Sequence, residues 1–161
     1  DQSAKIIHDY HVNSNGWPAI GYHFVVRYNG DIERGRPLNR TGAHTANNNN
    51  DSIGICVTGN FSTTNLLGRP EQYNALVELV KYLLKLYPGI AIKKHNDYTN
   101  TQCPGNLFPW SKFLQDVTKT DNENIDTLKE ENLKLKEQIR LYEELMSAVV
   151  SQLQKVLNWR P

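Results

Sequence analysis

Two spacings of apolar residues divide the chain. From Ile125 they recur at seven: Ile125, Asn132, Ile139, Met146 and Leu153 hold one position, and Leu128, Leu135, Tyr142, Val149 and Val156 the other. These are a and d positions of five heptads, and a 3.5-residue spacing kept that long predicts a coiled-coil helix over 125–157. At about 1.5 Å per residue that helix would run about 50 Å. Asn132 is a polar insertion at an a position, the kind that fixes register and favours a parallel pair. Glu131 at g faces Lys136 at e of a partner helix. Leu145, Val150 and Leu157 widen the stripe, which suits a higher oligomer or packing against another surface. Self-association and one amphipathic helix folded back on the rest of the chain both stay open.

Before residue 120 the pattern is shorter in range and mixed. Ile6, Ile7 and Tyr10 give one apolar side to a short helix within residues 2–13. Phe24, Val26 and Tyr28 alternate, and Asn29-Gly30 or Gly30-Asp31 is a hairpin turn signal leading to Ile32. Ile53, Ile55 and Val57 alternate again. Gly68-Arg69-Pro70-Glu71 opens a helix with proline near its first turn. Tyr73, Leu76, Val77, Val80, Leu83, Leu84 and Tyr87 then keep helical spacing until Pro88-Gly89 stops them. Ile90 to Ile92 reads as a short strand and 93–109 as a polar, turn-rich loop. Trp110, Phe113, Leu114 and Val117 form the buried side of one more helix. The texture is α/β, with residues enough for a modest core. The chain thus divides into a domain over 1–119, a polar linker at 120–124 and the coiled-coil helix over 125–157.

Charge sharpens that division. The total of +1 is the sum of +3 over residues 1–119 (12 basic, 9 acidic) and −2 over 120–161 (6 basic, 8 acidic), and all ten glycines precede residue 120. So balanced a chain lacks the electrostatic footprint of a nucleic-acid or membrane-surface binder. No run approaches the about 18 apolar residues of a membrane span, and the N-terminus lacks the apolar core of a signal peptide. Cys56 and Cys103 are too few for a disulfide framework.

The chemical signal lies in the loop His95-Asn-Asp-Tyr-Thr-Asn-Thr101-Gln-Cys103-Pro104-Gly105. A histidine and a cysteine eight apart on irregular backbone can both reach one Zn²⁺, although such a pair alone is more often structural. Further blocks occur in order: His8-Asp9-Tyr10-His11-Val12-Asn13, Gly16-Trp17, Ile20-Gly21-Tyr22-His23-Phe24, Gly35-Arg36-Pro37, Gly42-Ala43-His44, Ser52-Ile53-Gly54-Ile55-Cys56 and Gly59-Asn60-Phe61. Together with His95 and Thr101 to Gly105 they resemble the zinc-dependent N-acetylmuramoyl-L-alanine amidases, among them phage lysozyme-type endolysins and peptidoglycan recognition proteins. The resemblance covers residues 2–113.

The resemblance implies a mixed central sheet flanked by helices, with a substrate groove over zinc. It also implies cleavage of the amide joining the lactyl group of N-acetylmuramic acid to L-alanine in bacterial peptidoglycan. By position, His95 and Cys103 match two zinc ligands, Tyr22 the tyrosine that assists at the reacting carbonyl, and Thr101 a site where the family has lysine or threonine. His44 is placed to line the groove and bind substrate. His8 and His11 match a structural motif. On a regular strand His23 points away from Tyr22, as a hydrogen-bonded histidine behind the site. Cys56 reads as a buried small hydrophobe, and Asn47 to Asn50 as a loop without evident chemistry. The implied place of work is the bacterial cell wall, reached by a phage-encoded endolysin released from the host cytoplasm or by a secreted enzyme.

One departure sets a second reading. The family's first zinc ligand is a histidine on a strand before the helix that matches residues 2–13, and the chain starts at Asp1. The expectation is a domain lacking that strand and ligand, with weak zinc binding and an exposed sheet edge. The alternative to a wall-lytic amidase is then a non-catalytic peptidoglycan-binding module, oligomerised by its tail. A mainly structural oligomeriser is the third possibility.

Overall fold

The computed structural model describes residues 1–119 and 121–158; the side chains of 121–124 and of Val156 lie outside that description. The chain forms two compact units, Asp1–Thr118 and the segment from Lys119 onward.

In the first unit three short strands, β1 (Phe24–Val26), β2 (Ile32–Arg34) and β3 (Ile55–Val57), make one sheet in the order β2-β1-β3. β1 runs antiparallel to β2, with Val25 opposite Glu33, and parallel to β3, with Val25 opposite Cys56. The sheet is therefore mixed. The antiparallel step follows from the turn chemistry: Gly30 has φ +86°, a conformation open to glycine, and the Arg27 N–H donates to the Asp31 carbonyl at 2.9 Å.

All three β1 residues are buried because helices cover both faces of this central strand. Phe24 and Val26 join a large core with α2 (Pro70–Leu86) and α3 (Trp110–Thr118), while Val25 packs with Ile7 of α1 (Ala4–Asn13), Ile20, Tyr22 and Cys56. Period-two alternation thus deals successive side chains to two cores.

α2 starts with Pro70 at its first turn and buries Tyr73, Leu76, Val77, Val80 and Leu83, as the spacing predicted, with Gln72 and Leu79 in addition, whereas Tyr87 at the end of the expected run is exposed. α1 is capped by Ser3, whose Oγ accepts from the Ile6 N–H at 3.2 Å. Only Ile7 of the expected apolar side is buried; Ile6 and Tyr10 are 51% and 60% exposed. The strand expected at Ile90 to Ile92 is absent, since among the described residues no segment pairs with it. The loop after it contains a 3₁₀ turn at His95–Asp97. Phe61, Leu66 and Phe108 complete the core from segments outside the main helices and strands.

The second unit is one helix, α4 (Asp121–Leu157). It begins inside the stretch read as a linker; residue 120 of that stretch, and Val156 as a d-position side chain, lie outside the described residues. Ile125, Leu128, Leu135, Ile139, Tyr142, Met146, Val149 and Leu153 are all exposed. Within the helix Lys129 pairs with Asp126 at 3.0 Å and Arg140 with Glu137 at 2.9 Å. No helix in the described chain is long and apolar enough to cross a membrane.

Candidate active site

Bends at Gly21 and His23, just before β1, turn consecutive side chains toward one place. The Tyr22 and His23 rings lie 6.5 and 5.7 Å from the His44 ring. Both rings border His44, from a segment whose bends depart from regular strand geometry. His23 is bonded at both nitrogens: Nδ1 accepts from the Gly54 N–H at 3.0 Å, and Nε2 faces the Arg40 carbonyl at 2.9 Å. Those partners fix the proton on Nε2.

The two segments that carry Tyr22 and His44 are stapled together. The Ala43 N–H donates to the Gly21 carbonyl at 2.9 Å, and a Cβ on Gly21 would sit 2.1 Å from the Ala43 oxygen. Only glycine allows that approach. Arg36 joins the same segments by donating from Nε to the Ile20 carbonyl at 2.7 Å and from Nη1 to the Thr41 carbonyl. Behind the site, His11 Nδ1 accepts from the Gly21 N–H at 3.0 Å, and its ring lies 4.6 Å from Trp17 and 5.9 Å from Tyr22.

His44 is held on all sides but one. Asn49 Oδ1 accepts from the backbone N–H groups of His44 and Thr45, each at 2.8 Å. The ring packs flat against Gly42 and Gly54, where an added Cβ would come within 2.4 and 2.3 Å of Cδ2. Nδ1 meets the Thr45 hydroxyl at 3.2 Å. Nε2 is buried and has no hydrogen-bond partner. Burial is the main cause that lowers the His44 pKa, with His23 adding repulsion, the Ser52 backbone working the other way, and His95 and Arg36 adding further repulsion. The ring is a neutral one.

His95 and Cys103 come from the 93–109 loop, whose ends are tied by the Asn96 N–H donating to the Cys103 carbonyl at 3.1 Å. Thr101 Oγ1 accepts from the Cys103 N–H at 3.3 Å. Gly105 presses on the Phe61–Ser62 backbone, and the Leu107 N–H donates to the Phe61 carbonyl at 2.8 Å, which anchors the loop to the core. Cys103 is exposed as a residue, yet enough protein surrounds its thiol that burial raises its pKa. Tyr22 is pushed up to about 12, chiefly by burial and then by the Cys56 and Cys103 thiols nearby. Cys56, half-buried on β3, is pushed up to about 11 by burial first and Cys103 second. Tyr22 thus feels the Cys103 thiol, and His44 the His95 ring.

Imidazole nitrogen and thiolate sulfur are donors that Zn²⁺ takes, so the His95–Cys103 pair fits that ion in kind. The buried, unpartnered Nε2 of His44 marks a polar position beside it. Among the described residues, however, no three His, Cys, Asp or Glu side chains converge as a metal site. The expectation passed over Asn49 and Arg36, whose roles are hydrogen bonds to backbone 4 to 16 residues away in sequence.

Residues 1–106 match the family described as N-acetylmuramoyl-L-alanine amidase. The endolysin of Enterobacteria phage K11 is 32% identical over 125 residues, spanning 73% of this chain and 80% of that protein. Peptidoglycan-recognition protein SC1a of Drosophila melanogaster is 35% identical over 102 residues, 62% of this chain and 54% of that protein. The chain thus spans about half the length of that recognition protein. Among solved structures, N-acetylmuramoyl-L-alanine amidase LysC from Clostridium intestinale URNW aligns with TM-score 0.69 at 35% identity, covering 74% of this chain and 78% of that one. With two thirds of its length matched and the same fold found in solved amidases, the chain belongs to the N-acetylmuramoyl-L-alanine amidase family.

Proposed function

We propose that this chain is a peptidoglycan hydrolase that cleaves the amide between N-acetylmuramic acid and the L-alanine of the stem peptide, acting on the bacterial cell wall as endolysins do. The reading is supported by the pairing of the Tyr22 and His44 rings in a domain of the amidase family whose 93–109 loop carries His95 and Cys103. His95 through an imidazole nitrogen and Cys103 as thiolate would hold Zn²⁺, which when bound supplies Lewis acidity to the amide carbonyl and to water.

The chain's own groups set the rest. A Tyr22 phenol with a pKa of about 12 stays protonated at working pH, so it donates to the carbonyl oxygen as negative charge develops and does not act as a base. Thr101 adds a hydroxyl on the same loop, without the charge a lysine would bring. The His44 ring, held by Asn49 and Thr45 and stacked beside Tyr22, forms part of the wall against which the substrate lies. Arg36 and Asn49 position Tyr22 and His44 and touch nothing that reacts.

Hydrolysis of purified peptidoglycan tests the proposal. Release of new L-alanine amino groups that a chelator abolishes and Zn²⁺ restores is the expected result. Wall binding without release in the presence of Zn²⁺ would favour the second reading, a peptidoglycan-binding module, which the absence of a three-donor cluster among the described residues supports.

We assign a separate role to 125–157: self-association as a coiled coil, joined to the 1–119 domain through the segment near residue 120. The exposed a and d residues support it, as do Glu131 and Lys136, which make no ion pair within the described helix. Multimerisation would raise avidity for a polymeric wall. Sedimentation of the full chain checks it, a monomer at micromolar concentration being the adverse result.

A further inference from the structure

Among the described residues no strand pairs with the backbone that leads into Tyr22. Ile20 and Gly21 precede β1 and both are buried, so their N–H groups need acceptors that the sheet does not supply. Two side chains of α1 supply them. His8 Nδ1 accepts from the Ile20 N–H at 3.3 Å, and His11 Nδ1 accepts from the Gly21 N–H at 3.0 Å. Residues three apart share a helix face, which lets both rings reach one stretch of backbone. We infer that His8 and His11 are positioning residues for Tyr22, holding the Ile20–Gly21 backbone and through it the place of the phenol. The inference rests on the hydrolase reading, in which that phenol donates to the reacting carbonyl.

The carbonyls of the same segment are already taken. That of Ile20 accepts from Arg36 Nε at 2.7 Å, that of Gly21 from the Ala43 N–H at 2.9 Å and that of Tyr22 from the Arg36 N–H at 2.8 Å. All three partners are donors, so none can serve the Ile20 and Gly21 N–H groups. The histidines do, each as a neutral imidazole with its proton on Nε2. An apolar side chain in place of either would leave a buried N–H unpaired, and the backbone would have to turn to find a partner. Tyr22 follows directly, and its hydroxyl sits at the far end of the ring, where a small backbone rotation has its largest effect.

α1 also touches the Tyr22 side chain itself. The His11 ring lies 5.9 Å from the Tyr22 ring, whose other ring neighbour is His44 at 6.5 Å, and Ile7 packs in one cluster with Tyr22. His11 seats Trp17 as well: its carbonyl accepts from the Trp17 N–H at 3.0 Å, and the two rings are 4.6 Å apart. Trp17 in turn closes on Gly21, where an added Cβ would lie 3.2 Å from Cζ3. The helix, the indole and the Ala43 backbone thus meet at the residue before Tyr22.

The test uses the full chain with Zn²⁺. Nitrogen NMR of the wild type should find Nδ1 of both histidines unprotonated, with coupling across the hydrogen bond from the Gly21 amide to His11. A proton on either Nδ1 would overturn the clamp. His11→Leu removes the acceptor and should lower kcat on purified peptidoglycan about tenfold, with KM little changed. His8→Leu should cost less, its bond being longer and one residue farther from Tyr22. His11→Asn puts an amide oxygen where Nδ1 stood and should recover most of the rate. The Tyr22→Phe background separates positioning from support of the fold. With no hydroxyl to place, His11→Leu should lower kcat there by less than about twofold. The same tenfold loss in both backgrounds would overturn the positioning role. Tyr22 ring resonances read the clamp without turnover: they should shift in both Leu variants and return in His11→Asn. A wild-type chain that hydrolyses nothing would sink the hydrolase reading, and those resonances would then decide the clamp; resonances unmoved in both Leu variants would overturn it.

Discussion

Asn49 Oδ1 accepts the backbone N–H of His44 at 2.8 Å and that of Thr45 at the same distance, so one side-chain oxygen sets the course of the segment that presents the His44 ring. Asn49→Ala removes both bonds, each worth about 0.5–1.5 kcal/mol net. The expected outcome is a modest loss in melting temperature and a larger loss in kcat/KM on peptidoglycan, about tenfold or more, because the ring is displaced. Asn49→Asp keeps an acceptor oxygen and should recover most of the activity. Equal, small effects of both variants on activity would show that this segment does not position a working group.

Gly54 constrains the same ring from the other side. A Cβ there would lie 2.3 Å from His44 Cγ and Cδ2, a distance no packing tolerates, so Gly54→Ala must push the ring out of place. Activity should fall sharply while the secondary structure survives, since β3 begins one residue later. Circular dichroism and the hydrolysis assay read the two effects separately.

Tyr22→Phe removes only a hydroxyl. If the phenol donates to the developing oxyanion, the variant should lose about 10²–10³ in kcat, the usual cost of one such donor, with KM little changed. A pKa of about 12 also means that Tyr22 itself produces no fall in activity between neutral pH and pH 10. A wild-type rate retained by Tyr22→Phe would return the residue to the core role suggested by its packing against Ile7 and Val25.

The histidine behind the site makes a pH prediction of definite sign. His11 has a pKa below 6.5, first through burial, then through Arg36 and His8. The folded state therefore binds fewer protons than the unfolded state, and stability rises with pH in that window. It is fully present above pH 6.5 and is lost as pH falls from 6.5 through the folded pKa, where Nδ1 must give up the Gly21 N–H. His11→Asn supplies a non-titrating acceptor. Its melting temperature should vary less between pH 7.5 and 5 than that of the wild type; an identical profile would exclude His11 as the source.

What could be read from the residues had local causes. Pro70 with the helical run to Leu83, the Asn29-Gly30 turn and the heptads from Ile125 each depend on neighbours within a few positions, and each element formed. The misses share the opposite character. Ile90 to Ile92 has strand-like residues, but a strand exists only with a partner. Phe61, Leu66 and Phe108 join the core from segments without period, where no pattern marks burial. Asn49 sits in a run of four asparagines, and only the fold tells it from Asn47, Asn48 and Asn50. Tyr22 and His23 both border His44, from a segment whose bends before β1 depart from regular strand geometry.

Gln72 is the sharpest stability test, because it is polar and wholly buried on a helix whose spacing assigned it no role. Its Nε2 donates to the Val26 carbonyl at 3.0 Å and the Thr58 carbonyl at 2.8 Å, clasping the ends of β1 and β3 to α2. Gln72→Leu keeps the volume but leaves two carbonyls without this donor, at about 1–3 kcal/mol each. Where other partners remain, as the Thr58 Oγ1 does for Val26 at 3.1 Å, the cost lies at the low end. A fall of about 5 °C or more in melting temperature is expected. Gln72→Glu distinguishes the lost donor from lost packing. An ionised carboxylate facing two carbonyls is repelled, so the folded state holds the proton and the carboxyl pKa rises on folding. Its stabilising proton is present below the unfolded carboxyl value of about 4.3 and is lost as pH climbs through the folded value. Gln72→Glu should therefore approach the wild-type melting temperature on acidification and fall further below it toward pH 7. A pH-independent gap between the two would mean that Gln72 contributes by its shape alone.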